Sequence, residues 1–253
     1  MRVVAAALLF LATSAAAQDG FTRILLPVWI GEDPRGANGT TWQQLLTLLN
    51  DSDEPLSLVN DVAPVRTCAV GPCLTELPPG IAENISLEVG SIPAALLYVR
   101  DRFAPRTALA LRIYEQSRAA GPGVQIPIVT DRELLSQPAN LLVVQMSGGA
   151  TRSLLRLYDP DAVAGAALRV QALDLDSGAV VTDRLVPMTL PANRFQPGYA
   201  QVPLDASFFP PNTDPRRRFR IRVAPVAAGQ RFWAMVSVTD NATNEFTVIT
   251  PEP

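Results

Sequence analysis

Three arginines near the end of the sequence, Arg218, Arg220 and Arg222, are separated by single apolar residues. In a strand, residues two apart share one face and lie roughly 6.6 Å from each other. Guanidinium groups at that spacing suit bidentate contacts to the carboxylates or sulfates of an acidic polysaccharide. The alternative is a solvated outer face whose charges discourage edge-to-edge strand pairing. Either way, the intervening side chains are predicted to enter a core: Phe219, Ile221 and Val223.

Trp29 is the candidate for a second kind of contact, the stacking of a sugar ring on an exposed aromatic face. It lies beside the turn-forming segment 31–34, which predicts exposure. Trp42 and Trp233 lie in apolar, strand-like segments and are interpreted as packing residues. Carbohydrate binding therefore has two candidate positions, Trp29 and the arginine row.

Cys68 and Cys73 are predicted to form a disulfide, because an exported protein meets an oxidising compartment and Gly71-Pro72 favours a turn between them. A bond closing so short a loop contributes roughly 2 kcal/mol in the chain-entropy estimate. The intact mass of the exported protein should rise by two hydrogen atoms on reduction. Free thiols in non-reduced material would contradict the prediction.

The sequence contains no His and no Lys. These absences exclude the Ser-His-Asp triad, His-ligated zinc, Schiff-base chemistry and the P-loop lysine. Paired carboxylates could still hydrolyse glycosides, but the required separation is a property of the fold. The acidic clusters 51–54 and 174–178 lack the spacing of a calcium loop and are interpreted as turns. A non-enzymatic protein without a cofactor or metal is predicted.

Residues 1–17 have the pattern of a cleaved signal peptide, with Arg2, an apolar stretch over 3–12 and small residues before Gln18. The stretch is too short to span a bilayer. We therefore expect a secreted or periplasmic protein that does not insert into a membrane. The sequence has 24 acidic residues and 21 arginines, including Arg2. A chain without a basic excess is not expected to bind nucleic acid.

The remaining sequence is typical of an all-β protein, with 23 prolines and 15 glycines spread between short apolar runs. Segments 108–114 and 168–172 alternate between apolar and other residues, and a phase slip after Ala172 predicts a β-bulge. Segment 232–238 is almost continuously apolar, which indicates a central strand covered on both faces.

Three internal matches occur in the same order along the chain. Segment 42–51 resembles 151–160, segment 76–80 resembles 189–193, and segment 111–117 resembles 236–242. An ordered set of this kind indicates a duplication with loop insertions. We predict two antiparallel β-sandwich domains, residues 18–130 and 139–253, joined by a linker at 131–138.

Several short segments point to a family: Leu25-Leu26-Pro27-Val28, Thr41-Trp42, Leu77-Pro78-Pro79-Gly80, Leu157-Tyr158-Asp159 and the run from Val236 to Asn244. They resemble a tandem Ig-like β-sandwich module of secreted bacterial proteins. The resemblance implies the fold and the compartment but no established activity or ligand. The first copy departs from the pattern in its Cys68–Cys73 insertion and in its last turn, Glu115-Gln116-Ser117.

These observations favour a secreted structural or binding module, with a cell-surface protein or polysaccharide as the class of partner. The alternatives are an acidic-polysaccharide-binding protein that uses the arginine row or Trp29, and a carboxylate-based hydrolase. Two carboxylates facing each other across a cleft would favour the hydrolase.

Overall fold

The structure is a computed structural model that describes residues 20–30, 41–66, 74–89, 93–115, 123–143, 150–211, 213–214 and 218–252. The leader at 1–17 and both Cys68 and Cys73 lie outside these ranges, so the leader and the disulfide stay predictions. Within the described ranges, the regular structure is β-strand apart from one 3-10 turn at Ala104–Arg106. The predicted all-β class is confirmed.

The described residues of the N-terminal half form eleven strands. They are β1 (Phe21–Leu26), β2 (Trp42–Asn50), β3 (Leu56–Ser57), β4 (Val62–Ala63), β5 (Val65–Arg66), β6 (Glu76–Leu77), β7 (Ala82–Leu87), β8 (Ala95–Arg100), β9 (Thr107–Glu115), β10 (Val124–Ile126) and β11 (Val129–Thr130). Sheet I has the order β11-β1-β8-β4, and sheet II has the order β10-β9-β2-β7-β5. Strands β3 and β6 form a separate short ladder.

In the C-terminal half, the residues that the structure describes form eight strands. They are β12 (Ala139–Val143), β13 (Thr151–Asp159), β14 (Ala167–Asp174), β15 (Val180–Pro187), β16 (Gly198–Pro203), β17 (Phe219–Pro225), β18 (Trp233–Asp240) and β19 (Phe246–Ile249). Sheet III has the order β12-β17-β14-β15, and sheet IV has the order β16-β13-β18-β19. All strand pairs in sheets III and IV are antiparallel.

Sheets III and IV pack face to face on a hydrophobic core, an arrangement compatible with a β-sandwich. The inner face of β13 contributes Leu155 and Leu157, and sheet III contributes Phe219 and Ile221, all of them fully buried. Burial of each such side chain stabilises the fold by about 1.5–3 kcal/mol. Alternation of apolar and other residues therefore determines which face of each strand enters the core.

The two halves share a strand order and a register. The order β10-β9-β2-β7 in sheet II matches β19-β18-β13-β16 in sheet IV, and β1-β8-β4 matches β12-β17-β14. Trp42 pairs with Glu115 in the first copy, and Thr151 pairs with Asp240 in the second. These are the positions matched in the sequence comparison, so corresponding positions face each other in the two halves. The register supports the predicted duplication.

The predicted bulge is present: the register of β14 against β15 shifts between Ala172 and Leu173. The turn that follows uses its acidic residue as a local acceptor. A side-chain oxygen of Asp174 accepts hydrogen bonds from the backbone amides of Asp176 (3.1 Å) and Ser177 (2.8 Å). This geometry agrees with the interpretation of the 174–178 cluster as a turn.

Candidate functional site

The arginine row lies on the outer face of sheet III. Arg218 and Arg222 are exposed and Arg220 is half-buried, while the intervening Phe219 and Ile221 are in the core. Arg218 lies 3.5 Å from a carboxylate oxygen of Asp176, and Arg220 lies 3.6 Å from one of Glu252. Part of the positive charge of the row is therefore already neutralised by the protein's own carboxylates.

Apolar side chains also interrupt this face. Leu142 and Leu173 are the register partners of Arg220 on the two neighbouring strands. On the same sheet, Arg169 and Asp183 form an exposed ion pair, which lowers the pKa of Asp183 to about 2 through the hydrogen bond from the guanidinium. The geometry is that of a mixed, solvated surface with a basic stripe.

The exposure predicted for Trp29 is wrong. Its residue surface is only 7% exposed, and it packs into the hydrophobic core of the N-terminal half. The backbone amide of Trp29 donates a hydrogen bond to the carbonyl oxygen of Pro93 at 3.1 Å. A buried indole ring cannot stack on a sugar, so Trp29 is a packing residue.

The junction between the halves continues the N-terminal core. Tyr158 and Met235 project from the outer face of sheet IV and belong to the hydrophobic cluster of the N-terminal half. The hydroxyl of Tyr158 donates a hydrogen bond to the carbonyl of Pro27. Burial raises the pKa of Tyr158 to about 12. The part of the outer face of sheet IV around Tyr158 and Met235 is therefore buried as well.

Segment 131–138, predicted as a linker, is held by both halves. Leu134 packs against the core of the N-terminal half, whereas Leu135 packs against that of the C-terminal half. Leu135 also exchanges two backbone hydrogen bonds with Phe232, at 2.8 and 2.9 Å. A connection fixed in this way restricts relative motion of the two halves.

A buried ionic network crosses the junction. Arg23 in β1 is 4% exposed, and its guanidinium donates to Asp131 at 2.9 Å and to Asp161 at 2.8 Å. Arg231, from the loop between β17 and β18, donates to the second oxygen of Asp161 at 2.6 Å. Burial acts to raise the pKa of Asp161, but the hydrogen bonds and charges of Arg23 and Arg231 outweigh it and the net shift is downward.

Acid should weaken this network. A carboxyl with a lowered pKa in the folded state contributes stability that is complete above the unfolded pKa, about 3.9, and is lost as pH falls through the folded pKa. We therefore expect Asp161→Asn to flatten the loss of stability below about pH 4. Urea unfolding measured from pH 6 to pH 2.5 tests this.

Asp159 provides an opposite control. Burial raises its pKa despite the hydrogen bond from Gln230, so Asp159 adds stability as pH falls. Asp159→Asn should steepen the acid loss that Asp161→Asn flattens. Parallel pH profiles for the wild type and both variants would contradict the assignment.

A cleft of about 450 Å³ opens where the halves meet. The N-terminal half contributes apolar side chains, among them Ile30 and Trp42, and the C-terminal half contributes Arg152, Arg156 and Phe246. The rings of Trp42 and Phe246 meet edge to face with centroids 5.8 Å apart. The volume lies within the range of small-molecule sites, which is roughly 300–1,000 Å³.

The cleft is basic on one wall. Nε of Arg156 donates a hydrogen bond to the hydroxyl of Ser237 at 3.2 Å. The Nη1 atom of Arg152 is shielded from solvent and has no hydrogen-bond partner among the described residues. Within those residues, no carboxylate forms an ion pair with Arg152 or Arg156. Both half-buried arginines thus lack a carboxylate partner in the part of the chain that the structure describes.

The sequence interpretation missed Arg152 and Arg156 because the outer face of a sheet is ordinarily solvated. One signal was available: β13 alternates Leu155 and Leu157 with Arg152, Leu154 and Arg156. A large apolar residue between two arginines on an outer face indicates that this face is partly covered. Trp42 was assigned to packing, and the structure places part of its surface in the cleft.

Comparison with known proteins gives no relative: no family profile, no curated protein and no solved structure matches the chain. Within the ranges that the structure describes, no helix has the length and apolar character needed to cross a membrane. In the same ranges, no three potential metal-ligating side chains of the His, Cys, Asp and Glu types come together.

Proposed function

We propose that the protein is an exported, non-enzymatic binding module in which two Ig-like β-sandwiches act as one rigid body. The observation that carries this proposal is the junction, where the core of one half continues into the outer face of sheet IV. Halves that share a hydrophobic core cannot separate without exposing it. A fixed junction holds the cleft open in one geometry, which suits binding without catalysis.

The ionic network supports the same proposal. Relative motion of the halves would separate Arg23 from Asp161 and take one partner from the buried guanidinium of Arg23. The effective cost of such desolvated charges is several kcal/mol per ion. Backbone pairing adds to the cost of separating the halves, since the amide of Leu96 donates a hydrogen bond to the carbonyl of Phe195 at 2.8 Å across the junction.

The cleft lacks the groups that hydrolysis needs. Asp205 is the one carboxylate among its described lining residues, and its oxygen accepts two hydrogen bonds from Ser207, at 2.8 and 2.6 Å. The hydrogen bond from the Ser207 side chain lowers the pKa of Asp205, which disfavours a role as general acid. A glycosidase of the usual type would need a second carboxylate facing it.

Calorimetry tests the proposal. We expect one thermal transition in which the calorimetric and van't Hoff enthalpies agree, as for a single cooperative unit. Two separable transitions would show that the halves unfold independently and would overturn the rigid-body proposal.

Acidic-polysaccharide binding by the arginine row is the second candidate function, favoured by the exposure of Arg218 and Arg222 on one face. If the row binds, replacing Arg218, Arg220 and Arg222 together with serine should abolish binding to a sulfated polysaccharide at low salt, with little change in melting temperature. Wild-type binding should weaken steeply with salt because screening shortens the reach of exposed charges. Equal binding by wild type and triple variant would leave the row as a solvated face.

A further inference from the structure

We propose that the cleft between the halves binds an organic carboxylate whose acid group sits against Arg152 and Arg156 and whose apolar body lies against Trp42 and Phe246. The inference rests on the proposed function, since the cleft has walls from both halves. It goes further by assigning a site and a ligand class.

The charge of the site specifies an anion. Burying a cationic group without a partner is unfavourable, and Arg152 and Arg156 are half-buried without a carboxylate partner among the described residues. An arginine presents several N–H donors in a planar fork that matches a carboxylate. An incoming acid would supply the missing counter-charge to the two guanidinium groups that line the cleft.

The opposite wall specifies the rest of the ligand. Val28 and Ile113 are buried side chains at the cleft, and half-buried Ile30 and Trp42 extend the same apolar wall. Hydrocarbon or an aromatic ring placed there would lose contact with water, at about 25 cal/mol for each Å² covered. A ligand with a small acid group and an apolar body matches both walls.

The two copies differ at these positions. The duplication aligns Arg152 with Gln43 and Arg156 with Thr47, because the paired strands share one register. The first copy is therefore neutral where the second is doubly basic. The two arginines therefore occur in the C-terminal half without a basic counterpart in β2. They lie on the outer face of sheet IV, which the junction partly covers.

Asp205 sets a limit on the ligand. Its carboxylate lines the cleft and is held by Ser207, so it adds one fixed negative charge to the site. With two arginines, the described charges of the lining leave a single net positive charge. That balance suits a monoanion better than a highly charged polymer.

The experiment uses the complete mature protein and two probes of the same shape, 2-naphthoate and its neutral amide, 2-naphthamide. Calorimetric titration should give binding of the acid that is at least about tenfold tighter than binding of the amide. The double variant Arg152→Met/Arg156→Met should weaken binding of the acid by at least about tenfold and leave binding of the amide unchanged. Trp42→Leu should weaken both probes.

The matched control is Arg106→Met/Arg169→Met, which removes the same net charge from two exposed positions outside the cleft and should bind the acid as the wild type does. Arg152→Lys/Arg156→Lys keeps both positive charges but removes the planar guanidinium groups, so it should bind the acid with intermediate affinity. It also provides a second variant if Arg152→Met/Arg156→Met does not fold. Equal affinity for acid and amide, unchanged binding by the methionine pair, or no binding of the acid at millimolar concentration would overturn the inference. A single thermal transition without acid binding would refute the cleft assignment alone, whereas two transitions would refute the proposed function.

Discussion

Replacing Arg23 with methionine is expected to lower the free energy of unfolding by about 3–5 kcal/mol, the cost of removing one partner from a buried ion pair. The methionine retains much of the apolar stem but leaves Asp131 and Asp161 without the guanidinium that joins them. Urea unfolding at pH 7 measures the change. The difference in stability between wild type and variant should shrink below about pH 4, because protonation of Asp161 weakens the network in the wild type as well.

Two controls separate the possible causes of that loss. Arg169→Met breaks the exposed pair with Asp183 and should leave stability nearly unchanged, because solvent screens both charges. Arg23→Met/Asp131→Asn should recover part of the loss, because Asp131 is the carboxylate that loses its close partner, whereas Asp161 keeps Arg231. A change in Arg23→Met no larger than that in Arg169→Met would show that the network does not hold the halves together.

Leu48→Ala and Leu157→Ala are expected to destabilise the protein by about 2–5 kcal/mol each, the range for truncating a buried leucine. Both side chains are fully buried and occupy equivalent positions in β2 and β13. Because the halves are proposed to unfold together, each substitution should move the same single thermal transition. Differential scanning calorimetry of both variants measures it.

The control is Val180→Ala, which truncates a valine outside both cores. Val180 is about half exposed at the edge of sheet III, and its truncation should leave the transition near its original temperature. If Leu48→Ala split the melting curve and left part of it unshifted, the two cores would be independent.

The sequence predicted the features that depend on local patterns. Alternation correctly placed Phe219 in a core and Arg222 in solvent, and a phase slip located the bulge at Ala172. Both of these follow from the two-residue period of a strand. The internal matches put β2 and β13 in correspondence, and the two strands do have corresponding partners in the same register.

The junction could not be predicted in the same way. Whether an outer face meets water or another sheet depends on how distant parts of the chain pack, and the period of a strand does not contain that information. Trp29 was therefore predicted to be exposed because it adjoins a turn, although it is buried. The continuous apolar run at 232–238 was the exception, because it predicted a strand covered on both faces. Met235 in this strand does belong to the core of the N-terminal half.

Strands β8 and β17 occupy corresponding places in the sheet orders of the two halves, but the outer surface of β8 is buried and that of β17 is charged. In β8, Leu96 and Tyr98 are buried against the loop containing Phe195, whose ring lies 5.9 Å from that of Tyr98. In β17, the corresponding face carries the arginine row. Solenoid proteins use the same device at their ends, where a polar capping unit prevents another repeat from stacking. A further unit that packed on β17 as the C-terminal half packs on β8 would have to bury the arginine row, at the cost of removing these charges from water.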